Sequence, residues 1–147
     1  MKRKNSICLA ITSALALSLY AATAQDGPMN DAPLDASKLP PASSQAGVTY
    51  DKDIKAILDK SCIKCHGADH QRGKLRLDSH DAAVKGGKSS KDVVVGKSGE
   101  SRLVFAIAHV GDDDRAFMPP PQEKSHVPPL TPDQVGLIRA WIDQGAK

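Results

Sequence analysis

Aromatic side chains are scarce in this chain: one tryptophan, two tyrosines and two phenylalanines in 147 residues. A domain with so few large rings has little of its own to fill a wide core, so a bulky flat group at its centre would suit it. Cysteine is scarce too, three in all, which excludes a disulfide-dense scaffold. There is a single C-x-x-C and no second one, so a four-cysteine zinc site lacks its second pair. No βαβ pattern surrounds it, which excludes a thioredoxin-like dithiol. A charge excess is missing as well. The chain has 20 Lys and Arg against 17 Asp and Glu, and the surplus is Lys2, Arg3 and Lys4. Without those three the balance is 17 of each, which gives nucleic-acid binding no support. Finally, no apolar run reaches the ~20 residues of a membrane span.

The longest such run, Ile7 to Ala22, follows the basic Lys2, Arg3 and Lys4 and precedes the small-x-small site Ala22-Thr23-Ala24. That order reads as a signal peptide over 1–24, cleaved before Gln25. Cys8 would leave with it, and both remaining cysteines would lie in one motif. Export permits disulfides, so the absence of any pair outside that motif fits thiols used on a cofactor. Residues 25–47 are rich in Pro, Ala, Ser, Asp and Asn without apolar periodicity, and read as a flexible linker. The folded domain is then 48–147, in a periplasmic or otherwise exported compartment.

The motif is Cys62-Ile63-Lys64-Cys65-His66. Two thiols three positions apart on one helical turn can each add across a vinyl group of one haem, and the next histidine falls under the iron as its proximal ligand. Around it the expected elements are helical. Tyr50, Ile54, Ile57 and Leu58 make one face of a helix over 50–60, with Thr49 or Asp51 as its cap. Residues 67–97 read as a long Gly- and Lys-rich loop with one helical turn near 81–84. Such a loop is unusual in a compact domain, and a bound haem could be the core it packs on. A middle helix is expected over 100–109, capped by Ser98, with Leu103, Val104, Ile107 and Ala108 inward and Gly111 ending it. The last helix starts at Thr131 with Pro132 at its first position and Gln134 closing a capping box. Val135, Ile138, Trp141 and Ile142 line its inner face, and Gly145 stops it.

A haem iron with a proximal histidine keeps its other face open or takes a second ligand. Met118 is the only methionine within the domain, and the stiff Pro119-Pro120-Pro121 follows it. A thioether suits haem iron, and the loop holding Met118 is too polar for an ordinary core methionine. His70, His80, His109 and His126 are the competitors. His70 is close behind the proximal residue, and His109 at a helix end favours the dipole in any case.

Several segments together resemble a family. They are Tyr50-Asp51-Lys52-Asp53-Ile54, Cys62-x-x-Cys65-His66-Gly67, Gly73-Lys74-Leu75-Arg76-Leu77-Asp78, Gly86-Gly87 and Ser101-x-Leu103. Met118-Pro119-Pro120 and the ending Trp141-Ile142-Asp143-x-Gly145-Ala146 complete the set. The chain resembles the planctomycete-type cytochrome c domain over nearly all of 48–147. The resemblance implies a mainly α, small class I cytochrome c fold, three or more helices around one covalently bound haem c with long loops. It implies Cys62 and Cys65 as attachment points and His66 and Met118 as iron ligands. The expected function is single-electron transfer by an exported, non-enzymatic monomer that meets redox partner proteins transiently, without nucleic acid and without a membrane span once the signal is removed. Two other functions are compatible with the residues. One is an open-site haem protein that senses a gas or reduces peroxide, if Met118 does not bind. The other is an electron-transfer subunit of a larger oxidoreductase complex. Arg76 is a candidate partner for a haem propionate.

Overall fold

The computed structural model describes residues 34–89, 91–121 and 125–147. The expected signal peptide, Met29 and residues 122–124 lie outside them. The described residues are mainly helical and contain no strand, only a single antiparallel bridge between His66 and Gln71.

The first helix begins as a π-helical turn, Tyr50–Ile54, and continues as α1, Lys55–Ser61. Tyr50, Ile54 and Leu58 recur at the expected four-residue spacing and all are buried. Thr49 holds the expected cap position, but its side chain makes no capping hydrogen bond. Asp53 instead reaches back, its carboxylate accepting from the Thr49 amide at 2.9 Å. A short helix α2, Ile63–His66, follows, then α3, His80–Lys85. The middle helix α4 is Arg102–Ala108, and the last helix α5 is Pro132–Asp143.

Helix α5 is the element the others pack on. Its N-terminus has the reciprocal cap read from the sequence: Thr131 Oγ1 accepts from the Gln134 amide, and the Gln134 side chain accepts from the Thr131 amide. Val135, Ile138, Trp141 and Ile142 are buried on it, and the π-helical turn and α4 both pack against it. The Trp141 and Tyr50 rings lie 5.9 Å apart at the centre. Leu103, Val104, Phe105 and Ile107 close the core from α4.

Helix α4 starts two residues later than expected and ends at the expected place. Ser98 does not cap it, because its amide and hydroxyl both donate to the Asp143 carboxylate on α5. Ser101 takes the boundary position instead, its hydroxyl accepting from Val94 N and donating to Lys97 O. The helix ends at His109 as expected, but the histidine itself takes the left-handed stop at φ 53°, ahead of Gly111. The long loop packs on the protein itself: Leu77, Ala83 and Val93 join the core. Residues 34–47, inside the stretch read as a linker, lie along α5. Leu39 is buried, Ser43 donates to Gly136 O at 2.9 Å, and Arg139 donates to Pro40 O. Gly136 has to be glycine here, since a Cβ would lie 2.6 Å from Pro41 O.

Candidate functional site

The Cys62–His66 motif forms one helical turn at the end of α1. Cys62 itself breaks the helix (φ −125°, ψ −38°), yet its carbonyl accepts from the amides of Cys65 at 3.1 Å and His66 at 2.9 Å. Both thiols are free, Cys62 buried and Cys65 half-buried. Burial, with the neighbouring Cys65 second, pushes the Cys62 thiol up to about 12. It is held as a neutral thiol, the reverse of what a reactive redox dithiol needs. No group of three His, Cys, Asp or Glu able to hold a metal ion exists among the described residues, so His70 does not complete a zinc set.

His66 ends α2 half-buried, and its Nδ1 is buried without a hydrogen-bond partner. Burial holds its imidazole below the usual histidine range; the backbone of Leu75 and Arg72 beside the ring opposes this without closing a hydrogen bond to Nδ1. The neutral imidazole favoured in this way is the metal-binding form. The chain then turns sharply. A Cβ on Gly67 would sit 2.5 Å from Ile63 O, so the residue after the histidine has to be glycine. The loop comes back onto the motif, with Leu77 N donating to His66 O at 2.7 Å. The buried Tyr50 hydroxyl donates to Leu77 O at 2.9 Å and fixes that return.

Met118 lies half-buried against the core, its amide donating to Ala106 O at 2.9 Å in the last turn of α4. The Met118–Pro119 peptide is cis. Of the competing histidines, His70 and His126 are exposed. His80 is engaged elsewhere: Nε2 donates to Ala146 O at 2.6 Å and Nδ1 meets Asp81 at 2.9 Å. His109 stacks on Phe117 with 4.9 Å between ring centres and 6° between planes. Arg76 gives its guanidinium to Asp78 in a two-pronged ion pair at 3.0 and 2.7 Å.

The family model of planctomycete cytochrome C matches residues 62–122, from the first motif cysteine to just past Met118. That stretch is similar to a planctomycete cytochrome C domain, the resemblance already carried by the motifs. No curated protein and no solved structure matches the chain. A cytochrome c domain implies covalently bound haem c, and the residues of this stretch fit that group. They offer two unpaired thiols within one helical turn, an imidazole kept neutral, and a buried ring nitrogen that still lacks a partner.

Sequence reasoning named the motif but not its supports. The backbone of Arg72 and Leu75 beside the His66 ring belongs to a loop with no periodic signal. The fit of Gly87 against the Gly73 carbonyl, at 2.5 Å from a built Cβ, is tertiary and equally silent in the sequence.

Proposed function

We propose that this protein is an exported monohaem c-type cytochrome that transfers single electrons through an iron ligated by His66 and Met118. Cys62 and Cys65 would hold the haem through thioethers. The observation that carries the reading is the motif turn itself, where the family match begins and where His66 is held neutral. The bound haem supplies a one-electron couple, and a thioether opposite an imidazole raises its potential. The chain's own work is to keep water from the ring, hold His66 in its neutral form, and carry Met118 on the Ala106 carbonyl. With His66 and Met118 both holding the iron, the protein would exchange electrons and do no bond chemistry. Its partners are redox proteins met transiently by a monomer, through the small, weak interfaces of electron transfer. Among the described residues no helix is long and apolar enough to cross a membrane.

The test is optical. The alkaline pyridine spectrum of the exported protein is expected to give one haem c per chain. The ferric protein is expected to have the weak far-red band of thioether ligation, and the ferrous protein to refuse carbon monoxide at neutral pH. Loss of the far-red band in Met118→Ala, with the haem still covalently bound, completes the case. Carbon monoxide binding by the wild type would overturn it in favour of an open iron site.

A further inference from the structure

Two buried side-chain nitrogens among the described residues have no hydrogen-bond partner: Nδ1 of His66 and Nε2 of His109. A buried polar atom left unpaired keeps its full desolvation penalty, so each of these points to a partner outside the chain. His66 belongs to the attachment motif. His109 does not, and the proposed function leaves it unused.

Its backbone is also strained. His109 sits in the left-handed region at φ 53° and ψ 42°, which is unfavourable for a residue with a Cβ. Glycine would end α4 there without that cost.

Position links His109 to Met118. The Ala106 carbonyl accepts from both the His109 amide, at 3.3 Å, and the Met118 amide, at 2.9 Å. The His109 ring lies flat on Phe117, the residue before Met118. Residue 109 therefore stays with residue 118 at the end of α4. His109 also borders a hollow of about 140 Å³ with Ile107, Leu130, Pro132 and Val135. An imidazole that changes partner has room there to turn.

We infer that His109 is the reserve distal ligand of this cytochrome: when the Met118 sulfur leaves the iron, Nε2 of His109 takes its place. The inference rests on the reading of Met118 as the resident ligand. In the exchange one iron–sulfur bond breaks and one iron–nitrogen bond forms. A neutral thioether leaves and a neutral imidazole, its proton kept on Nδ1, enters, so neither a proton nor an electron is transferred. The exchanged form has two imidazole ligands and a lower potential than the His/Met form. The protein would thus have a high-potential His/Met state and a low-potential state with two imidazoles.

The experiment compares four holoproteins: wild type, Met118→Ala, His109→Gly, and Met118→Ala with His109→Gly. Glycine removes the imidazole and relieves the left-handed backbone, which keeps the fold. The far-red band of the wild type checks Met118 ligation by itself, and its absence would sink the underlying reading. His109→Gly is expected to keep that band. Met118→Ala is expected to stay low-spin, with the near-infrared signature of two imidazoles. The double variant is expected to turn high-spin, to bind carbon monoxide at least about tenfold more tightly than Met118→Ala, and to become low-spin again on addition of free imidazole. A Met118→Ala protein that is high-spin and matches the double variant would overturn the inference while leaving Met118 ligation standing. So would loss of the far-red band in His109→Gly.

Discussion

His80 has both ring nitrogens in hydrogen bonds, one to a backbone carbonyl and one to a carboxylate. Both acceptors favour the charged ring. The Ala146 carbonyl first, and Asp81 after it, raise the His80 pKa above the ordinary histidine value. A raised value in the folded state means stability that is fully present below the unfolded pKa and is lost as pH rises through the folded one. The His80 side chain is 38% exposed and Asp81 almost wholly so, which makes the ionic part small. The bond to Ala146 also survives deprotonation, because Nε2 can keep its hydrogen. We therefore expect His80→Ala to destabilise the protein more at about pH 5.5 than at about pH 8.5, by a margin under about 1 kcal/mol. Urea unfolding at the two pH values measures it, and equal destabilisation at both would show that the ring acts through the Ala146 bond and its packing on Tyr50, 5.8 Å away, and not through its charge. Arg76 belongs to the same scale. Sequence placed it near the motif, but its fork is filled by Asp78, which a pattern of residue types does not reveal.

Elements differ in how far their own residues determine them. Helix α5 could be read to the residue because its cap, its first-turn proline and its apolar face are all local. Helix α4 could be read only approximately. Its expected cap, Ser98, is drawn to Asp143 on α5, 45 positions away in sequence, and its end falls on a strained histidine. Residues 34–47 carry no periodicity because backbone carbonyls and amides hold them to α5, and those groups are the same in every sequence. The motif turn was legible because covalent attachment demands fixed residue types at fixed spacing; the groups that flank its histidine are backbone and were not. The glycines give the element-scale predictions. Gly87 has no positive φ, so only space matters: a Cβ there would lie 2.5 Å from Gly73 O and 2.8 Å from Leu75 N, both backbone atoms that cannot swing aside. Gly87→Ala is expected to cost roughly 1–3 kcal/mol and to loosen the Arg72–Leu75 turn against His66. Thermal unfolding and the haem potential should move together in this variant. Thr131→Ala, which removes only a cap, should cost ~1 kcal/mol and leave the potential unchanged.

Across the whole molecule charge is divided unevenly. Between Lys60 and Lys97 there are nine basic residues and four acidic ones, an excess of five in a chain that is neutral beyond its first residues. The fold concentrates this excess. Lys88 N donates to Gly73 O at 2.8 Å, which sets the exposed Lys88 beside the exposed Arg72 and Lys74. That turn is the same one whose backbone lies against the His66 ring, and the Arg72 charge reaches the imidazole. The positive field therefore lies next to the motif, and a carrier arranged in this way should meet anions faster than cations of equal size. Ferricyanide and hexaammineruthenium are suitable probes, since each exchanges one electron and their charges are opposite. In Lys74→Glu with Lys88→Glu the rate of oxidation by ferricyanide is expected to fall about three- to tenfold at low salt, and the rate of reduction by the ruthenium cation to rise. Both effects should fade toward ~1 M salt, where the screening length is ~3 Å. Lys38→Glu with Lys147→Glu alters the net charge equally and should change neither rate by as much. Equal effects from the two pairs would mean that net charge alone steers the encounter, and that the turn beside His66 is not where electrons enter.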